Sequence, residues 1–175
     1  VLDHRSALDP ATGDVVYFDG RDVRRVNVET TDDEHLFTLP PDRLATGQPC
    51  FMPGGEWFVY VHHDRDGFET LFDAAGNLAH RHRSEGTVLA GYNLETGDHR
   101  ALVRIDSPIH HATPHDEERI LFCHPATENG VLMTDLSGGW YTHLRTQADS
   151  GAKVCHYHAT DAGVTYEMNV EGGES

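Results

Sequence analysis

Residues 109–125 read IHHATPHDEERILFCHP, and residues 156–168 read HYHATDAGVTYEM. Both stretches pass through the same events in the same order: a histidine pair (His110 and His111, then His156 and His158), Ala-Thr, an acidic turn, and a strand-like apolar run. A supersecondary unit that recurs in one chain, each copy needing neighbours to bury its faces, marks a propeller or a solenoid.

Working outward, four short runs each follow a turn signal: Val15 to Phe18 after DPATGD, Trp57 to Val61 after MPGGE, Ile120 to Cys123 after TPHDEE, and Val164 to Met168 after TDAG. Their alternation or their β-branched and aromatic content marks them as strands. The turns open at Pro10, Pro53, Pro114 and Asp161, so successive units lie 43, 61 and 47 residues apart. That suits propeller blades of roughly 40 to 50 residues. A second hairpin follows in each full unit: RRVNVETTDDEHLFTL, AGYNLETGDHRALVRI and VLMTDLSGGWYTHLRT turn at Thr-Thr, Thr-Gly and Gly-Gly. Four strands per unit follow. The polar stretch 64–86 lengthens the second unit and reads as an insertion between its second and third strands. No stretch shows a helical period with caps.

The expected architecture is an all-β β-propeller of four-stranded antiparallel blades, about three and a half of them, forming one incomplete domain over 1–175. The units lie near 10–40, 49–105, 109–147 and 154–170, with a flexible acidic tail at 171–175. Closed propellers use roughly four to eight blades. The chain is therefore expected to be part of a longer propeller, or an open arc whose edge strands pair with another chain, a homo-oligomer being one such pairing.

Composition narrows the function classes. With 38% apolar residues and a negative mean hydropathy the chain reads as a soluble globular domain. No apolar run approaches the roughly 20 residues of a membrane helix, and VLDHRSALDP has no signal-peptide character. The start lacks Met, so a processed chain or a fragment is expected. Three cysteines (Cys50, Cys123 and Cys155) without a CxxC pair argue against a disulfide framework and a structural zinc, and for a reducing cytoplasm. The net charge of −16, with Lys153 the single lysine beside twelve arginines, argues against nucleic acid and anionic membrane as partners. It resembles the balance of proteins from salt-loving organisms, although a GC-rich genome also depletes lysine.

Fourteen histidines are several times an ordinary share, and His110, His111, His115, His124, His156 and His158 fall beside the repeated strands. The innermost strand of each propeller blade lines the axis, so histidines of successive blades could converge at one face. The HxH of His156 and His158 puts both on one face of a strand, a spacing that metal sites use. Against this, a histidine at a strand start is more often a turn residue than a catalyst. His35, His80, His82 and His99 read as surface residues, and His62 and His63 as candidate partners of the site.

FCHP at 122–125, preceded by HHATPHDEERIL and followed by CHYHATDAGVTYEM, resembles the middle of oligogalacturonate lyases, propeller enzymes of pectin breakdown. Upstream, VVYFDGRDVRRVNVETTDDEHLFTLP and AGYNLETGDHRALVRI are similar to that family's strand pairs in the same order. The resemblance implies β-elimination on short galacturonate oligomers. A base removes the C5 proton, a divalent cation, usually manganese, neutralises the adjacent carboxylate, and the C4 oxygen leaves.

The resemblance also implies His156 as the base, a role a neutral imidazole fills near pH 7, and His110, His111 and His124 as substrate contacts. The family's arginine after FCH has no counterpart between Pro125 and Leu136, and Arg145 stands nearest as its substitute. The family's metal ligands lie in later blades, so none is assigned here and the Mn2+ would come with those blades. The implied partner is an oligogalacturonide, which a chain at −16 repels unless cations gather at the site. Two other readings stand beside this one: a non-catalytic WD40-like or TolB-like binding module, and an inactive piece of a lyase.

Overall fold

Each turn signal is followed by a strand in the structure, a computed structural model that describes residues 5–64, 86–105, 109, 111–124, 130–146, 153–160 and 163–169. Residues 123–124, 130, 145–146, 153–160 and 163–169 are described by backbone alone. Of the insertion read at 64–86, residues 65–85 lie outside the described residues, as does the tail at 171–175.

The first sheet is β1 (Ser6–Leu8), β2 (Val15–Asp19), β3 (Asp22–Val26) and β4 (Asp33–Thr38). The second is β5 (Arg43–Phe51), β6 (Trp57–Asp64), β7 (Thr87–Asn93) and β8 (His99–Ile105). The third is β9 (Ala112–Pro114), β10 (Arg119–His124), β11 (Gly130–Asp135) and β12 (Thr142–Thr146), and a hairpin of β13 (Lys153–Thr160) and β14 (Gly163–Asn169) closes the series. Every sheet is an antiparallel meander in sequence order, and no helix occurs among the described residues.

β1 lies against β5, β5 against β9 and β9 against β13. A parallel bridge between Gln48 of β5 and His111, just before β9, shows that these first strands run side by side in one direction. The first strand of each sheet therefore lies at a common axis and the fourth at the rim, which makes the sheets the blades of a partial β-propeller.

The hairpin turns between third and fourth strands show why the sequence repeats. Asn27 Oδ1 accepts the N–H groups of Glu29 and Thr30 at 3.0 and 2.9 Å. Asn93 Oδ1 accepts those of Glu95 and Thr96 at 3.0 and 2.8 Å, and Asp135 Oδ1 accepts those of Ser137 and Gly138 at 2.9 and 3.2 Å. A short side-chain acceptor that caps the next backbone amides is how Asn and Asp make turns. The last turn position needs φ above zero, and Gly97 (φ 73) and Gly139 (φ 79) supply it, whereas Thr31 (φ 63) takes the same place in the first sheet.

The central strands are sandwiched. On β6, Phe58 and Tyr60 join Val16, Phe18, Val23 and Leu39 in the core shared with the first sheet. Val59 and Val61 join Ile109, Ile120, Phe122 and Leu132 in the core shared with the third. Successive residues of a strand point to opposite faces, so a strand between two sheets reads as an unbroken apolar run. Burying one such side chain stabilises by about 1.5–3 kcal/mol.

Candidate functional site

In a meander, the first and third strands begin at the end where the second and fourth finish. Because β5 and β9 run in the same direction, the starts of β5 and β9 and the ends of β6 and β10 lie on one side of the molecule, here the channel end. His111 stands at the entry to β9, and His124 closes β10 opposite Gly130. Arg145, opposite Val131, is one residue from the end of β12. The backbone thus brings these three positions to one end of one sheet.

His156 lies in β13 opposite Glu167, just past a register irregularity between Val154 and His156, and His158 lies opposite Thr165. A bulge re-aims the side chains that follow it. His110 lies outside the described residues, as do the side chains of His124, Arg145, His156 and His158.

Gln48 is a site position that the sequence reading missed. β5 shifts register between Thr46 and Cys50 around Gly47 (φ 69), and the exposed Gln48 is carried against His111 at the axis. The signal was present as Gly-Gln-Pro inside a strand, since Gly and Pro within a strand point to a bulge.

Arg43 ties the channel end of the second sheet together. Its Nη1 donates to the Gly86 carbonyl at 2.7 Å and pairs with Asp64 Oδ1 at 2.9 Å, so it links the strand ends that flank the insertion. His63, 2% exposed, bonds Thr87 Oγ1 through Nδ1 at 2.8 Å. That makes it a satisfied core residue. His62, its neighbour, points to the opposite face and lies against the Tyr60 ring at 5.8 Å. Burial, and then the charges of Arg43, His63, Arg104 and His99, lower its pKa to about 4, so it is neutral at physiological pH.

Among the described residues, no three His, Cys, Asp or Glu side chains are placed to hold a metal ion. His63 bonds Thr87 through Nδ1, and Asp64 pairs with Arg43.

The chain is similar in structure to an oligogalacturonate lyase in complex with manganese: TM-score 0.77 and 19% identity, over 97% of this chain and 47% of that one. It is similar to the oligogalacturonate lyase of Vibrio parahaemolyticus at TM-score 0.70 and 14% identity, over 91% and 44%. TolB from Acinetobacter baumannii matches at TM-score 0.62 and 12% identity, over 96% and 38%. The fold is the one these proteins share. The chain spans less than half the length of each of them. No protein family and no curated protein matches it.

Proposed function

We propose that the chain belongs to a propeller that cleaves short galacturonate oligomers by β-elimination. In this reading the neutral imidazole of His156 accepts the C5 proton, the C–H electron pair forms the C4–C5 double bond, and the C4–O bond breaks. Its electron pair leaves on the glycosidic oxygen, which takes a proton from water to become the hydroxyl of the departing sugar. His110, His111, His124 and Arg145 contact the substrate, Arg145 through a uronate carboxylate. The manganese of the similar lyase enters as an expectation for residues outside the described ones. The substrate is a small soluble anion met in the cytoplasm, with no nucleic acid or membrane involved.

The observation that carries the reading is the likeness to an oligogalacturonate lyase over 97% of the chain, joined to a backbone that places His111, His124 and Arg145 at one end of a blade. The test uses the full reading frame that encodes these residues, supplied with manganese and digalacturonate. An unsaturated uronate absorbing in the ultraviolet is expected to accumulate, and His156→Ala to abolish it while leaving the fold intact by circular dichroism. Full activity in the His156→Ala protein overturns the assignment of the base.

A second reading, a non-catalytic binding module, draws support from the match to TolB over 96% of the chain. Saturable binding of digalacturonate without any unsaturated product would favour it.

A further inference from the structure

One cross-strand row of the second blade reads Ala45, His62, Val88, Arg104. Residues directly paired across a sheet share a face, and Ala45 and Val88 fix which one, since both belong to the core packed on the first blade. Arg43, two residues before Ala45 on β5, lies on the same face by strand alternation. Two guanidinium groups and an imidazole thus share the channel end of the cleft between the first two blades.

These groups have capacity to spare. The buried Nδ1 of His62 has no hydrogen-bond partner among the described residues. Arg104 is exposed at the rim, yet close enough to His62 to help keep it neutral, and it makes no hydrogen bond or ion pair among the described residues. Asp64, at the end of β6, is paired with Arg43. Elsewhere in this acidic chain arginines are matched with acids: Arg24 with Asp33, Arg25 with Glu34, Arg100 with Asp98 and Arg119 with Asp116. An unmatched guanidinium in the same cross-strand row as an unbonded ring nitrogen, with β7 between them, suits a ligand with two or more acceptor oxygens, because guanidinium presents paired donors and neutral imidazole contributes one N–H.

We propose that Arg104, His62 and Arg43 form a binding site for a small oxyanion, a carboxylate or a phosphate, at the channel end of the cleft between the first and second blades. The site shares no residue with the elimination chemistry proposed at His156 and does not depend on it.

The test is an NMR titration of the 175-residue chain, following the His62 ring resonances with galacturonate in one arm and inorganic phosphate in the other. Saturable shifts of the His62 ring are expected, and the arm that saturates at lower concentration names the group. Arg104→Met, a rim substitution that breaks no hydrogen bond or ion pair among the described residues, is expected to weaken binding roughly tenfold, the loss of one charge-assisted hydrogen bond. His62→Gln is expected to weaken it as well. Salt at about 1 M, where the Debye length is about 3 Å, is expected to do the same. An unmoved His62 ring in both arms, or unchanged affinity in Arg104→Met, overturns the proposal. Because the readout is binding by this chain, a failure here leaves the lyase reading standing, and an inactive lyase leaves this site standing.

Discussion

Replacing Gly55 with Ala tests how the first two blades are locked together. Gly55 has φ +76, and a Cβ there would stand 2.6 Å from Ala11 Cβ and 2.7 Å from Asp9 Oδ1. Asp9 is buried and organises the turn before β2: its carboxylate accepts from Ala11 N–H at 2.8 Å and from the Thr12 hydroxyl at 3.0 Å. Its own N–H donates to the Asp14 carbonyl at 2.8 Å. The added methyl must therefore displace either that network or the turn of the second blade. Gly13 provides the control, because it has φ +77 and nothing within 4 Å of a built Cβ. In Gly13→Ala only the left-handed backbone is penalised, about 1–2 kcal/mol, partly offset by the lower entropy of unfolded Ala. Gly55→Ala carries the same term plus overpacking of typically 1–3 kcal/mol, for a total of about 2–4 kcal/mol. In a chain of this size each kcal/mol lowers the melting midpoint by about 2–4 °C, so a drop of roughly 5–15 °C is expected for Gly55→Ala and of under about 5 °C for Gly13→Ala. Urea and thermal unfolding followed by circular dichroism would measure both. Equal midpoints for the two variants would refute the claim that the turns of adjacent blades interlock at Gly55.

The other predictions concern turns and protonation. Thr31→Gly should raise stability by about 0.5–1 kcal/mol in urea unfolding, since a β-branched residue at φ 63 is strained and glycine's entropy cost offsets only part of the relief. Asn93→Ala removes the acceptor of the Glu95 and Thr96 N–H groups and of the Thr96 hydroxyl, and should cost about 1–3 kcal/mol. Asn93→Asp should recover most of that, because Asp135 fills the same place in the third blade. For His62, the folded pKa of about 4 lies below the ordinary imidazole value of 6.5, so the unfolded chain takes up the proton first as pH falls. Its contribution is complete above about pH 6.5 and is lost between 6.5 and 4, and by pH 5 this amounts to at most about 2 kcal/mol. Urea unfolding from pH 7 to 5 should show that slope in the parent chain, and His62→Gln should flatten it.

What could be read from the sequence followed from how local the cause was. The strands after the turn signals and the hairpins at Thr-Thr, Thr-Gly and Gly-Gly were legible because each turn is built by its own Asn or Asp within three residues. The inner strands were not legible: β5 contains Gly47, Gln48 and Pro49, which read as breakers until a bulge absorbs them, and β1 has three residues. His99 reads as an idle surface residue, yet its Nε2 lies 2.7 Å from the Tyr60 hydroxyl, and the Phe37 ring of the first blade meets it edge-on at 4.4 Å. Those partners come from a strand 39 residues away and from another sheet, and no local pattern encodes them. The doublet of His62 and His63 is a similar case. Alternation sends the two rings to opposite faces, but cross-strand register alone decides that one meets Thr87 and the other shares a row with Arg104.

The distribution of charge also changes what −16 means for an anionic ligand. The acids crowd the end of the sheets away from the channel: the turns at 9–14, 27–32, 93–98 and 115–119 each carry two or more carboxylates. Of these, Asp9 and Asp116 serve as backbone caps, as does Asp135 at the turn after β11. The fold needs them there because the hairpin turns are built on side-chain acceptors. At the channel end, among the described residues, Arg5, Arg21, Arg43 and Arg104 stand beside Asp19, Asp22, Asp42 and Asp64, so that surface is close to balanced. Screening over about 10 Å at 0.1 M salt keeps the acidic turns, a strand length away, from dominating the channel end. Repulsion inferred from net charge alone therefore overstates the barrier to an oxyanion at this end of the molecule, where Arg104 makes no ion pair among the described residues.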